Sequence, residues 1–155
     1  MRTSVALVVP ERVLQSDNPA FTQDLDAKRM VERRAVDLVM AIEKELGRNP
    51  EEMPHNNKGF DIRSLDKDGF PIYIEVKGRI DGATSVTVTA SEISFAQTNP
   101  ERHYLALVSV SGHGKAEDAV SSVERAFDGA VLNNEMASVN FKWNDLFSKG
   151  QDPRP

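Results

Sequence analysis

The hydrophobic periodicity of this chain changes once, and that change limits the possible folds more than any other feature. From Asp24 to Leu46, apolar residues recur every three or four positions, which predicts an amphipathic helix. Gly47 and Pro50 follow, and both are typical of a helix end. Beyond residue 59 the apolar residues alternate or run together, as they do in strands. A helix followed by strands predicts an α/β or α+β domain.

The strands are predicted from β-branched and aromatic runs between turn residues. Segments 59–65 and 71–79 flank Asp66-Lys67-Asp68-Gly69, which predicts a hairpin rather than a calcium loop because the later calcium ligands are missing. Residues 111–134 fit a helix or a strand equally well. The remaining predicted elements are strands at 4–9, 84–90 and 103–110, an edge strand at 139–143, loops at 15–22 and 51–58, a helix at 91–97 capped by Ser91, and a short helix ending at Lys149.

Composition limits the class of protein. The chain has 155 residues, which is the size of one domain. Its 19 basic and 24 acidic residues give a net charge of -5, which argues against binding nucleic acid by bulk positive charge. The absence of cysteine excludes disulfides and thiolate sites, and the three separated histidines argue against a zinc site. The apolar run Val5–Val9 is too short for a signal sequence or a membrane span, so we expect a soluble, cytoplasmic protein with no membrane partner.

The hairpin carries the candidate chemistry. Glu75 and Lys77 share one face of the second strand, about 6.6 Å apart, and the turn is expected to bring Asp61 across from Glu75. Carboxylate oxygens are the ligands that Mg²⁺ takes, and a nearby ammonium can orient water and stabilise negative charge. These groups are the minimum needed for phosphodiester hydrolysis. Glu32, on the border of the apolar helix face, and Glu92, at the start of the predicted short helix, are further acidic candidates.

These residues carry a resemblance to a known group. The spacing of Glu32, Asp61 and Glu75-Val76-Lys77 resembles the PD-(D/E)XK nuclease superfamily. The segments VERRAVDLVMAIEKELGRNP, NKGFDIRS, IYIEVKGR, VTVTASEI and HYLALVSV more closely resemble the Protein NO VEIN C-terminal domain family, whose members often follow helicase-like regions in defence systems. The resemblance implies an α/β restriction-endonuclease-like core, a mixed β-sheet flanked by helices. It covers about residues 26–146, and the chain departs from the superfamily motif in having Phe60 where proline precedes the aspartate.

The resemblance also implies roles for individual residues. Asp61, Glu75 and the Val76 carbonyl would hold Mg²⁺ or Mn²⁺, Lys77 would be the catalytic lysine and Glu32 the helix acid. Glu92 falls where the family carries an additional acid of unsettled role. The implied organisation is an N-terminal strand and linker at 1–25, a nuclease-like domain at 26–149 and a flexible tail at 150–155. The expected DNA contacts are made by Arg33, Lys58, Arg63 and Arg79.

Several alternatives remain open at this stage. Glu75 and Lys77 also fit a solvated pattern of cross-strand charges, with no catalytic role. Glu32 stands beside Arg33, which is also typical of surface ion pairs. The hypothesis is a metal-dependent DNA endonuclease domain of a defence or DNA-processing system, assisted by a helicase in cis or trans and compatible with a homodimer. The competing interpretations are a non-catalytic accessory domain that binds nucleic acid or protein, and a purely structural domain. His103 and the aromatic residues Phe141, Trp143 and Phe147 are predicted to be structural.

Overall fold

The long helix begins earlier than the sequence predicts. The structure, a computed structural model, describes residues 4–5 and 19–155, with side chains from Asp24 onward. Helix α1 spans Pro19–Glu45, so the predicted loop at 15–22 is wrong from residue 19. A proline suits the first position of a helix, where its missing N–H would have no partner. Of the predicted strand at 4–9, the structure contains strand β1 at Ser4–Val5, and the other residues lie outside the described part.

Seven strands and two short helices follow α1 in the described part of the chain. They are β2 (Asn49–Glu52), β3 (Ile62–Leu65), β4 (Pro71–Ile80), β5 (Ser85–Thr89), α2 (Ala90–Thr98), β6 (His103–Val110), β7 (Ala119–Glu124), β8 (Ser138–Lys142) and α3 (Trp143–Phe147). None of the helices within the described ranges is long and apolar enough to span a bilayer.

The strands form two sheets. The larger is mixed and has the order β2-β3-β4-β6-β7, in which β4 and β6 run parallel and the other neighbours antiparallel. The smaller is antiparallel, with β8 between β1 and β5. The predicted α/β class with a mixed sheet flanked by helices is therefore confirmed.

Two apolar clusters cover the two faces of the larger sheet. Ala35, Val39 and Ile42 of α1 pack on one face, against the alternating apolar residues of β3, β4 and β6. On the other face, α2, α3 and the smaller sheet surround Leu105 and Leu107. Phe141 and Trp143 are buried in this second cluster and Phe147 packs against it, so the prediction that they are packing residues is confirmed.

Some elements differ from the prediction for identifiable reasons. Strand β2 has the sequence NPEE and was predicted to be loop; it is the outermost strand of its sheet, where proline and solvated acids are tolerated. Strand β8 is central rather than an edge, because β1 pairs with it. The N-cap of α2 is Thr89 instead of Ser91. The ambiguous region contains β7 and a short 3₁₀ turn at Lys115–Glu117.

The C-terminal residues lie against the larger sheet. Gln151 forms an antiparallel bridge with Ser122 of β7, and Arg154 donates to the Asp118 carbonyl oxygen at 3.1 Å. A Cβ added at Gly150 would stand 2.2 Å from the Ser121 hydroxyl, so only glycine allows this close approach. Gln151, in the segment predicted to be a flexible tail, is thus bridged to β7.

Candidate active site

The site forms where β4 extends beyond its neighbour. Ile62, the first residue of β3, pairs with Ile74, and β4 then continues to Ile80 without β3 beside it. The Asp61 N–H donates to the Ile74 carbonyl at 2.9 Å, which places Asp61 level with Glu75. The predicted register of these two residues is therefore confirmed. The hairpin turn fixes it, since Asp66 N–H donates to the Phe70 carbonyl at 2.9 Å.

Asp61 takes the place of the missing strand partner. Its Oδ2 accepts the Val76 N–H at 2.9 Å. Because N–H and C=O of one residue point to the same edge of a strand, the Val76 carbonyl also faces the edge that β3 leaves open. A carboxylate and a backbone carbonyl thus meet at one point of the β4 edge.

Steric contacts of Gly59 and Phe60 hold Asp61 at this point of the β4 edge. Gly59 has a φ of +98°, and a Cβ there would lie 2.7 Å from Cγ of Phe95. The Phe60 ring packs on Tyr73 and Phe95, with centroids 4.8 Å and 4.9 Å away, and its carbonyl accepts a 2.8 Å bond from the Asn57 side chain. Phe60 occupies the position where the superfamily motif has proline, and its ring packing fixes the backbone directly before Asp61.

Lys77 lies between two carboxylates. Its Nζ is 2.9 Å and 3.2 Å from the two oxygens of Glu92, and 3.4 Å from Oε1 of Glu75. The Glu75 side chain is only 4% exposed, and those of Glu92 and Lys77 are 15% and 20% exposed. The structure thus brings together four of the predicted residues, Asp61, Glu75, Lys77 and Glu92.

The protonation states follow from burial and crowding. Burial, and then the hydrogen bond with Glu92, raise the pKa of Glu75 to about 10. Burial opposes ionisation of Glu92 as well, but the contacts with Glu75 and Lys77 prevail and lower its pKa to about 2. Burial also raises the pKa of Asp61. The two pKa shifts therefore favour a protonated Glu75 beside an ionised Glu92 at neutral pH.

The Lys77 ammonium stays charged. Burial alone would lower its pKa, but the interactions with the Glu75 and Glu92 side chains outweigh burial and raise the pKa of Lys77. With Glu75 protonated, the ionised Glu92 is the charged partner of the Lys77 ammonium. In the described part of the chain, no three acidic or histidine side chains are arranged as a ready metal site. The donor set of two carboxylates and one carbonyl nevertheless fits Mg²⁺, which keeps several waters.

Glu32 reaches the same cleft from the opposite face of the sheet. A Cβ added at Gly78 would stand 2.6 Å from Cβ of Ala35 and 3.1 Å from the Val31 carbonyl. The glycine therefore lets α1 cross β4 closely and brings Glu32 to the open edge. The Glu32 side chain is 53% exposed and lies 3.9 Å from Nζ of Lys28.

An open cleft of about 720 Å³ contains these residues. Of the four predicted DNA contacts, Arg33 and Arg79 line it, whereas Lys58 and Arg63 do not. Arg33 is held by Glu52 at 2.6 Å and 2.9 Å, and Arg79 donates to the Ser85 carbonyl at 2.8 Å.

Three basic residues that line the cleft were not among the predicted site residues. Lys28 and Arg29 lie one turn before Glu32 and Arg33, so their spacing of four could have revealed them. His55, in the loop after β2, also lines the cleft. A second cavity, of about 580 Å³, lies between the C-terminal half of α1, β7 and the C-terminal segment, and contains none of the predicted site residues.

Comparisons with known proteins agree with this fold. The model of the family described as Protein NO VEIN, C-terminal, matches residues 31–121, a range that contains every residue of the cluster and Glu32. A solved structure of the Holliday junction resolvase Hjc from Archaeoglobus fulgidus superimposes with a TM-score of 0.51 at 14% identity, covering 78% of this chain and 90% of that one. At that identity the likeness shows the fold alone, and it is the nuclease-like fold that was predicted. No curated protein matches.

Proposed function

The chain belongs to the Protein NO VEIN C-terminal family, and from that premise we propose that it is a divalent-metal-dependent nuclease domain that hydrolyses DNA phosphodiester bonds. The observation that carries the proposal is the meeting of Asp61, Glu75 and Lys77 at the open edge of β4, inside a cleft. A resolvase shares the fold, which supports a nucleic-acid substrate.

Asp61, Glu75 and the Val76 carbonyl are the proposed metal ligands. Asp61 is fixed at this edge because its Oδ2 accepts the Val76 N–H at 2.9 Å. Glu75 would ligate after it loses its proton. When bound, Mg²⁺ or Mn²⁺ would supply the Lewis acidity that activates water and neutralises the phosphate.

Lys77 is proposed to act as a fixed positive charge. Because the neighbouring carboxylates keep it protonated, it is suited to donate a hydrogen bond to a phosphate oxygen and to stabilise the charge that develops there. Glu32, on the opposite wall of the cleft, is proposed to accept a hydrogen bond from the attacking water.

The substrate is proposed to lie between α1 and the end of β4. Lys28 and Arg29 are 72% and 77% exposed on the α1 wall, and both offer charge to phosphates. The cleft also contains Glu32 and Glu52, so its charge is balanced. We therefore propose that a helicase or another defence component, in cis or trans, delivers the DNA, and that a homodimer or a cytoplasmic setting is compatible with this role.

A second function is favoured by one specific observation. Lys77 forms ion pairs with both Glu75 and Glu92. These three groups are thus paired without a cation, as they would have to be in a non-catalytic accessory domain. Such a domain would bind DNA and leave it intact.

Two measurements decide between these functions. Calorimetric titration with Mn²⁺ is expected to show one site in the wild type and none in Glu75→Gln, with Asp145→Asn as a matched control on the exposed surface of α3. Incubation with branched, duplex and single-stranded DNA in Mg²⁺ is expected to give cleavage that Lys77→Ala removes. Metal-independent DNA binding without cleavage would establish the accessory function instead.

A further inference from the structure

Glu92 is anchored by the end of a helix rather than by the strand that carries the other cluster residues. Its backbone N–H donates to Oγ1 of Thr89 at 3.2 Å, and its Oε1 accepts the Thr89 N–H at 2.8 Å. These two bonds form the capping box of α2, the reciprocal arrangement that fixes the first turn of a helix. The position of the Glu92 carboxylate is therefore set by the backbone at the junction of β5 and α2.

The same carboxylate holds Lys77. Its two oxygens lie 2.9 Å and 3.2 Å from Nζ, closer than the 3.4 Å to Glu75. A lysine side chain has four rotatable bonds, so a fixed partner is needed to keep its ammonium in one place. Lys77 is one-fifth exposed and faces the cleft, where it could otherwise turn toward solvent.

The bonds of Glu92 also argue against a role as a metal ligand. Its Oε1 already accepts from both Thr89 and Lys77. To ligate a cation through that oxygen, Glu92 would have to give up the cap bond or the lysine. Asp61, in contrast, has Oδ1 free of the Val76 bond.

We propose that Glu92 is a positioning residue, which uses the capping box of α2 to fix the Lys77 ammonium against the reacting phosphate. This inference rests on the proposed nuclease function and extends it to the junction of the smaller sheet and α2. Thr89 contributes to the same positioning, since its two hydrogen bonds fix Glu92, which in turn holds Lys77.

The test separates positioning from ligation. Glutamine is accepted at this position of a capping box, so Glu92→Gln is expected to keep α2 intact while it removes the charge that holds Lys77. We expect kcat to fall by about 10²-fold with KM and the Mn²⁺ dissociation constant unchanged. Thr89→Ala is expected to lower kcat to a smaller extent, and Thr89→Ser to restore it because serine caps equally well. A loss of Mn²⁺ affinity in Glu92→Gln equal to that in Glu75→Gln would overturn the proposal.

A second readout does not depend on activity. In the metal-free protein, acetylation of Lys77 by acetic anhydride, followed by mass spectrometry, is expected to rise severalfold in Glu92→Gln relative to the exposed Lys58 in the same sample. Unchanged Lys77 acetylation would show that Glu92 does not hold the ammonium. If the wild type cleaves no DNA, the proposed nuclease function fails, and the acetylation result still decides whether Glu92 positions Lys77.

Discussion

Removal of Arg34 tests how α1 is attached to the rest of the fold. The Arg34 guanidinium donates two bonds to the Asp118 carboxylate, at 2.6 Å and 2.8 Å, and a third to the Ser111 carbonyl at 3.2 Å. The Asp118 side chain is 1% exposed and also accepts the Ser111 N–H at 2.8 Å. Arg34→Ala leaves a buried carboxylate with that one backbone donor.

The expected cost follows from burial. Breaking a buried ion pair by removing one partner costs about 3–5 kcal/mol, because the remaining charge has lost its compensation. Since Arg34 is 24% exposed and water can enter the vacated space, we expect about 3 kcal/mol, at the lower end of that range. Urea denaturation followed by circular dichroism measures this loss as a lower midpoint with an unchanged slope.

Arg125→Ala is the matched control. Arg125 also makes two short ion pairs, at 2.7 Å to Asp128 and 2.8 Å to Glu101, but all three side chains are about half exposed or more. Ion pairs between exposed side chains contribute little to stability, so this variant is expected to unfold near the wild-type midpoint. If Arg34→Ala destabilises no more than Arg125→Ala, the reasoning from burial is wrong.

Three further predictions concern packing, pH and DNA binding. Gly78→Ala is expected to lower the free energy of unfolding by about 1–3 kcal/mol through overpacking against α1. Adding Ala35→Gly to that variant is expected to restore part of the lost stability, as measured by thermal unfolding. No restoration would mean that another contact is responsible. Burial lowers the pKa of His103 from 6.5 to about 4, so the unfolded chain takes up a proton at a higher pH than the folded protein does. The free energy of unfolding is therefore expected to fall by about 3 kcal/mol as the pH drops from 6.5 toward 4. Urea midpoints measured across this pH range should show the loss, and His103→Leu should remove it. Lys28→Ala is expected to reduce the slope of log K against log salt for DNA binding by about 1, whereas Lys67→Ala, in the distant hairpin turn, is expected to leave the slope unchanged.

The core of the site could be predicted because local rules determine it. A five-residue connection between two strands fixes their register, and the register places Asp61 beside Glu75. Alternation along β4 then puts Lys77 on the same face as Glu75. These relations involve residues at most sixteen positions apart in sequence, from Asp61 to Lys77, and need no knowledge of the rest of the fold.

The features that the sequence did not reveal depend on distant packing. Lys28 and Arg29 line the cleft because α1 approaches β4 closely at Gly78, a contact between segments about 50 residues apart in sequence. Strand β8 is central only because β1, more than 130 residues earlier in sequence, pairs with it. Strand β2 is polar throughout and carries no periodic signal, since no face of an outermost strand of this kind is buried.

The open edge of β4 means that part of the cleft is formed by main chain. Val76 and Gly78 both line it, and the N–H and C=O groups of these two residues point to the edge that β3 leaves open. Unpaired strand edges normally attract the strands of other molecules, but here the edge lies at the floor of a concave surface, and Asp61 already occupies its first donor. The hydrogen-bonding groups of this edge come from the topology of the sheet and not from the type of residue. Substitutions of Val76 or Gly78 would therefore change the shape of the cleft, but the main-chain N–H and C=O groups would remain available to a bound molecule.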